Sequence, residues 1–82
     1  MRLKVLYFAL YREIIGKTEE YYDVESEISI KNFKKLIIKK NKQLKKYESS
    51  MLTSINKAFV MDENIKLKDG DSVALFPPFS GG

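Results

Sequence analysis

The sequence has no cysteine, no histidine and no tryptophan among its 82 residues. Without cysteine there is no disulfide, no thiol nucleophile and no thiolate metal site. Without histidine the chain lacks the usual general base near neutral pH and the commonest metal ligand. No apolar run approaches the ~20 residues that a membrane span needs. The opening stretch MRLKVLYFAL is basic and then apolar, as a secretory leader would be, but it has no small-residue cleavage site and it alternates like a strand. These features are those of a cytoplasmic protein. What is present suffices for one domain: 44% of the residues are apolar, an ordinary share for a soluble globular chain.

The net charge of +4 conceals an asymmetry. Lys31, Lys34, Lys35, Lys39, Lys40, Lys42, Lys45 and Lys46 contribute +8 with no acid between 31 and 46, while the remainder carries 7 basic and 11 acidic residues. A basic helix of this kind can serve a nucleic acid or an acidic partner. The run has no arginine for bidentate contacts, and its single aromatic, Phe33, fits a core position. It therefore reads as a solvated helix face, with no nucleic-acid partner expected.

Residues 2–10 read as a strand. Leu3, Val5, Tyr7 and Ala9 face the core, and the face bearing Arg2 and Lys4 turns to water with Leu6, Phe8 and Leu10. YREIIG follows as a short helical turn stopped by Gly16. TEEYYDVES reads as a second strand. Ser29 is a fair N-cap for one long helix over roughly 30–47, with Ile30, Phe33, Leu36, Ile37, Leu44 and Tyr47 on one stripe and the lysines opposite. KYESSMLTS reads as a loop. SINKAFV reads as a tight hairpin turning at Asn56-Lys57, and Asp69-Gly70 as a second turn. The last strand is 72–76, with Val73 and Leu75 inward and Ala74 and Phe76 outward. The simplest way to bury one amphipathic helix here is across one face of a mixed sheet of about five strands, with the first and last strands parallel at its centre. This is an α+β, β-grasp arrangement over residues 1–76, leaving 77–82 as an extended, flexible C-terminal tail.

The last eight residues are LFPPFSGG. Pro77 and Pro78 have no backbone donor, so strand pairing stops there, and each forces the residue before it toward extended geometry. Gly81 and Gly82 carry no side chain and can thread a narrow channel. The pattern suits a terminal carboxylate delivered into another protein's active site. A tail of small residues is common in itself; the apolar strand and two prolines before it are what set this one apart.

The segments KVLYFALYREIIG, INKAFV and LKDGDSVALFPPFSGG together resemble the MoaD-type sulfur carriers, the small-subunit family of molybdopterin synthase within the ubiquitin-like β-grasp proteins. The likeness covers nearly the whole chain and is most specific at the ending; the central helix is divergent. It implies that an adenylating, ubiquitin-activator-like enzyme (MoeB-type) uses ATP to attach AMP to Gly82. A persulfide donor then leaves a thiocarboxylate there. The tail, Pro77, Pro78, Phe79, Ser80 and Gly81, inserts into the large synthase subunit (MoaE-type), where the sulfur passes to cyclic pyranopterin monophosphate. The family implies a heterotetramer of two small and two large subunits, no bound cofactor or metal, and no catalytic residues beyond Gly82 in this chain. Strand parity brings Phe8 and Phe76 together on the sheet face away from the helix, and Phe59 matches a family position on the same surface. The three form the expected partner-binding patch. Thiamine-pathway carriers, tRNA-thiolation carriers and ubiquitin-like protein modifiers share the fold and the double glycine and remain alternatives. A nucleic-acid-binding module would leave the glycines unexplained.

Overall fold

A computed structural model describes residues 1–78. The alternation at the N-terminus builds β1 (Arg2–Tyr7), with Leu3, Val5 and Tyr7 all buried. The strand does not run on to Leu10 as its alternation suggests. Ala9 takes a φ of 50°, in the left-handed region, and turns the chain into α1 (Ala9–Ile15). A continued strand would carry Tyr11 beyond the sheet; the turn buries it completely. Gly16 ends α1 as expected, with φ 80° and its N–H on the Arg12 carbonyl at 2.8 Å. β2 (Glu19–Asp23) then returns antiparallel to β1, and its Tyr22 packs inward opposite Leu3.

Ser29 caps α2 (Ile30–Lys40), its Oγ accepting from the Asn32 N–H at 3.2 Å. The long helix expected over 30–47 is interrupted. At Asn41 the backbone leaves helical geometry, with φ −126° and ψ 79°. The Asn41 side chain donates to the Ile37 carbonyl at 3.0 Å, and its own N–H reaches the carbonyls of Ile37 and Ile38. Asparagine competes for helix carbonyls in this way, which makes it a natural stop. Residues Lys42–Ser50, partly read as loop, form a 3₁₀ segment packed back on α2. Leu44 remains in the core through this break, with Tyr47 packed against it.

Two positions on α2 also differ from the expected stripe. Leu36 is 38% exposed, whereas Lys34 is 5% exposed and Ile38 is buried. At 3.6 residues per turn Leu36 lies about 120° round the helix from Ile30, but Lys34 only about 40°. The Lys34 stem therefore goes inward, and its ammonium finds the Glu63 carboxylate at 2.5 Å and the Met51 carbonyl at 3.4 Å. A lysine is tolerated at this depth because both contacts satisfy its charge.

β3 (Leu52–Ile55) and β4 (Ala58–Phe59) form the expected hairpin. Its turn residues Asn56 and Lys57 have φ of 49° and 76°, both left-handed, as a type I′ turn requires. A second turn, bonded from Asp71 N–H to the Lys68 carbonyl, places Gly70 at φ 86° before β5 (Ser72–Phe76). The sheet order is β2-β1-β5-β3-β4, with β5 parallel to β1 and antiparallel to β3. Val73 and Leu75 face the helix layer, fully buried.

Glu20 ties this layer together. Its carboxylate accepts from the Tyr7 hydroxyl at 2.6 Å and from Lys17 at 2.9 Å, and lies 4.0 Å from the Lys40 ammonium. Burial pushes the Glu20 carboxyl up, but the hydrogen bonds from Tyr7 and Lys17 and the charges of Lys17 and Lys40 outweigh it, so its pKa falls below the ordinary value. Ionised Glu20 thus contributes stability above the unfolded value of ~4.3, lost as pH falls through the lower folded value. Glu20→Gln is expected to cost about 1–2 kcal/mol at neutral pH. In thermal melts the gap to wild type should close toward strongly acidic pH; a gap constant with pH would exclude this role. In the same melts Lys57→Gly should raise stability by ~0.5–1 kcal/mol, because glycine takes the left-handed turn position without strain. No gain would mean that the Lys57 side chain holds the turn by another contact.

Candidate functional site

The outer face of the sheet, opposite α2, is divided. Toward the start of β1 it is polar: Arg2 pairs with Asp23 at 3.1 Å and Lys4 with Glu19 at 3.5 Å, around the Tyr21 ring. Toward the end of β1 it is apolar. Because β1 and β5 run parallel, with Tyr7 opposite Leu75, the next residues along each strand, Phe8 and Phe76, come side by side. Their rings stack with centroids 4.5 Å apart and planes 15° from parallel. Phe59 joins from β4, 5.5 Å from the Phe76 ring and tilted by 47°. Phe8 and Phe76, expected from parity to share one surface, and Phe59, expected there from the family resemblance, thus lie together.

The patch forms by ordinary sheet geometry. Leu52 pairs opposite Phe76 and Ser54 opposite both Ala74 and Phe59, so β3 supplies the outward side chains between β5 and β4. Leu6, Ser54 and Ala74 make the floor of a depression of about 470 Å³ rimmed by the three phenylalanines, Asn56 and Lys57. Phe59 is 70% exposed, Leu52 41% and Phe8 37%. Leu52 was hidden from sequence reasoning because it lies within KYESSMLTS, which reads as loop; in the structure it opens β3 and pairs with Phe76. Asn56 fixes the rim, donating to Asp71 Oδ1 at 3.0 Å and accepting from the Ser72 N–H at 2.9 Å.

Pro77 is half-buried and Pro78 exposed, both immediately beyond the Phe8–Phe76 stack. Phe79, Ser80, Gly81 and Gly82, the remaining tail positions, lie outside the described residues. Among the described residues the patch is lined by no carboxylate, and no group of His, Cys, Asp or Glu could hold a metal ion. Clustered exposed aromatics next to a strand end are a feature of the kind that marks contact sites. Among the described residues no helix is long and apolar enough to cross a membrane.

Comparison with known proteins agrees in both sequence and fold. The ThiS family model matches residues 5–82. A curated relative from Chlamydomonas reinhardtii, a molybdopterin synthase sulfur carrier subunit, is 34% identical over 83 residues, covering 100% of both chains. The human protein of the same description is 31% identical over 83 residues, covering 99% of this chain and 94% of the relative. Among solved structures, a putative molybdopterin converting factor subunit 1 from Pyrococcus furiosus superposes with a TM-score of 0.84 at 28% identity. That match covers 96% of this chain and 99% of the other.

If the patch is a docking surface, Phe59 should matter little to the isolated domain. Phe59→Ser is expected to change unfolding free energy by no more than ~0.5 kcal/mol while reducing binding of a hydrophobic dye such as ANS. A stability loss above ~1.5 kcal/mol would make Phe59 a packing residue instead.

Proposed function

The chain belongs to the ThiS family, and on that footing we propose that it is the sulfur carrier of a molybdopterin synthase. In this role its reacting group is the Gly82 carboxylate. The observation that carries the reading is the aromatic patch at the edge of the sheet from which residue 77 departs. A chain that lacks cysteine and histidine cannot activate sulfur by itself. What it can do is present a carboxylate to enzymes that grip its sheet. The curated relatives, matched through the whole length of this chain, support the same role.

The chemistry then runs as acyl activation. A carboxylate oxygen of Gly82 attacks the α-phosphorus of ATP in an activating enzyme, and pyrophosphate leaves. The resulting acyl-adenylate is electrophilic, and AMP is a good leaving group. The terminal sulfur of a donor persulfide attacks the acyl carbon and expels AMP; a thiol then cleaves the acyl disulfide to leave the thiocarboxylate. Inside the large subunit this sulfur attacks a carbon of cyclic pyranopterin monophosphate, and water releases the carrier with its carboxylate restored. Pro77 and Pro78 lower the entropy lost when the tail is held, because each removes a backbone freedom before docking. Gly81 and Gly82 leave the acyl carbon open to attack.

Both the activating enzyme and the large subunit must take the same tail from the same side. They therefore use the same patch and bind in turn. Deleting Gly82, or adding one residue after it, should leave the domain folded but abolish sulfur transfer, since the reacting carbon is lost or displaced. Mass spectrometry of the intact protein from a sulfur-replete host should show a fraction heavier by the difference between sulfur and oxygen. Dithiolene formation by the extended protein without processing would refute the reading. Phe8→Ala with Phe76→Ala should weaken both complexes, each truncation costing ~1–2 kcal/mol. A complex holding activator and large subunit on one copy of the chain would contradict a shared patch.

A further inference from the structure

The break at Asn41 has built a second concave surface, on the far side of the molecule from the aromatic patch. A straight helix would have pointed its lysines outward along one rod. Because Lys42–Ser50 folds back on α2, Lys42 and Lys45 instead face Lys35 and Lys39 across a cleft. These four ammonium groups, with Ile38 at the base and Glu48 at the rim, line a volume of about 620 Å³. Glu48 is the cleft's own acid, and it is bound to Lys45 at 2.9 Å. Four cations and one anion leave the cleft at +3. A neighbouring depression shares Lys35 and Glu48 with it and brings in Lys31 and the buried Lys34, whose charge Glu63 offsets.

We propose that this cleft is a binding site for a linear triphosphate group, free or at the end of a nucleotide. The charge balance argues for this class. Like charges gathered around one cavity repel, and a linear triphosphate, with about four negative charges in a short chain near neutral pH, relieves this better than a single carboxylate can. Lysine binds phosphate as a compact point charge and needs no planar, bidentate geometry. Among the described residues no aromatic side chain lines the cleft, so none of them would stack a base. The phosphate chain is the recognised part, and the nucleoside would add little. The local field is already visible in Glu48: the hydrogen bond from Lys45 lowers its pKa, and the more distant charges of Lys35 and Lys34 lower it further. The aromatic patch is on the sheet face away from α2, and the two sites share no lining residue.

The test titrates the full chain with inorganic tripolyphosphate and, separately, with ATP, in magnesium-free buffer at low salt, read by calorimetry and by amide shifts. Saturable binding is expected, with shifts confined to residues 35–48, similar affinity for the two probes, and weakening as salt rises. Lys39→Gln with Lys42→Gln should reduce affinity about tenfold, ~1.4 kcal/mol. Lys66→Gln with Lys68→Gln, an equal loss of charge elsewhere, should change it less than twofold. Circular dichroism checks that both variants fold. Equal weakening by the two variants, or no saturation, would overturn the proposal. So would a polyglutamate peptide of matched charge competing as well as tripolyphosphate, which would make the cleft a site for acidic protein. Tighter binding of a short single-stranded oligonucleotide than of either probe would overturn it in favour of an extended nucleic-acid backbone.

Discussion

The parallel pairing of β1 with β5 is the constraint on which the rest depends. Two parallel strands cannot be joined by a hairpin; they need a crossover, and here the crossover contains α2. That crossover lays the helix on one face of the sheet and leaves the other face uncovered. It also brings the C-terminal ends of the first and last strands to the same edge. Phe8 and Phe76 stack because of this, and residues 77 and 78 leave the sheet directly beside them. Had β5 been antiparallel to β1, Phe76 would lie at the Arg2 end of the strand. The emerging segment would then meet the polar half of the sheet, where Arg2, Asp23, Lys4 and Glu19 pair with one another.

The features legible in the sequence are those set by a few neighbouring residues. The Asn56-Lys57 turn, the Ser29 cap and the Gly16 stop each depend on local backbone preference, and each stands where its motif places it. The parity of β5 is equally local, and parity was enough to put Phe8 and Phe76 on one face, whereas Phe59 was placed there by the family resemblance. Less legible were features settled by distant partners. Alternation favours a strand through Leu10, but burying Tyr11 outweighs a left-handed Ala9, whose strain is of order 1 kcal/mol. Helical periodicity runs through Asn41 without a proline or glycine to mark the break. Lys34 reads as surface because its partners, Glu63 and the Met51 carbonyl, are 29 and 17 residues away in the chain. For the tail, sequence supplies the composition and the family its chemistry, with only Pro77 and Pro78 among the described residues.

The same divided sheet explains how a chain this small can be recognised without strong catalytic groups. Stacked aromatics supply contact area with few rotatable bonds, so less entropy is lost when a partner covers them. The rim is polar and preset: Asn56 is held by both Asp71 and Ser72, and so does not have to be ordered by the partner. Adjacent to the patch, the two prolines limit the directions in which the chain can leave. In the proposed role, docking and tail delivery would therefore be coupled mechanically. A protein that covered Phe8 and Phe76 would sit where Pro77 emerges.

Charge is separated from that surface by the thickness of the molecule. The lysine-rich crossover lies on the helix side, while among the described residues the charged side chain at the rim of the apolar half of the sheet is Lys57. Long-range attraction toward anionic partners would thus orient the wrong face for tail delivery, and it is screened within about 8–10 Å at physiological ionic strength. In the proposed role, specific contact with a tail-receiving partner would then come from the aromatic patch, at short range. The consequence is a division of labour built into the crossover: one side of α2 secures the sheet that carries the aromatic patch, and the other side, bent at Asn41, is free to gather positive charge without disturbing it.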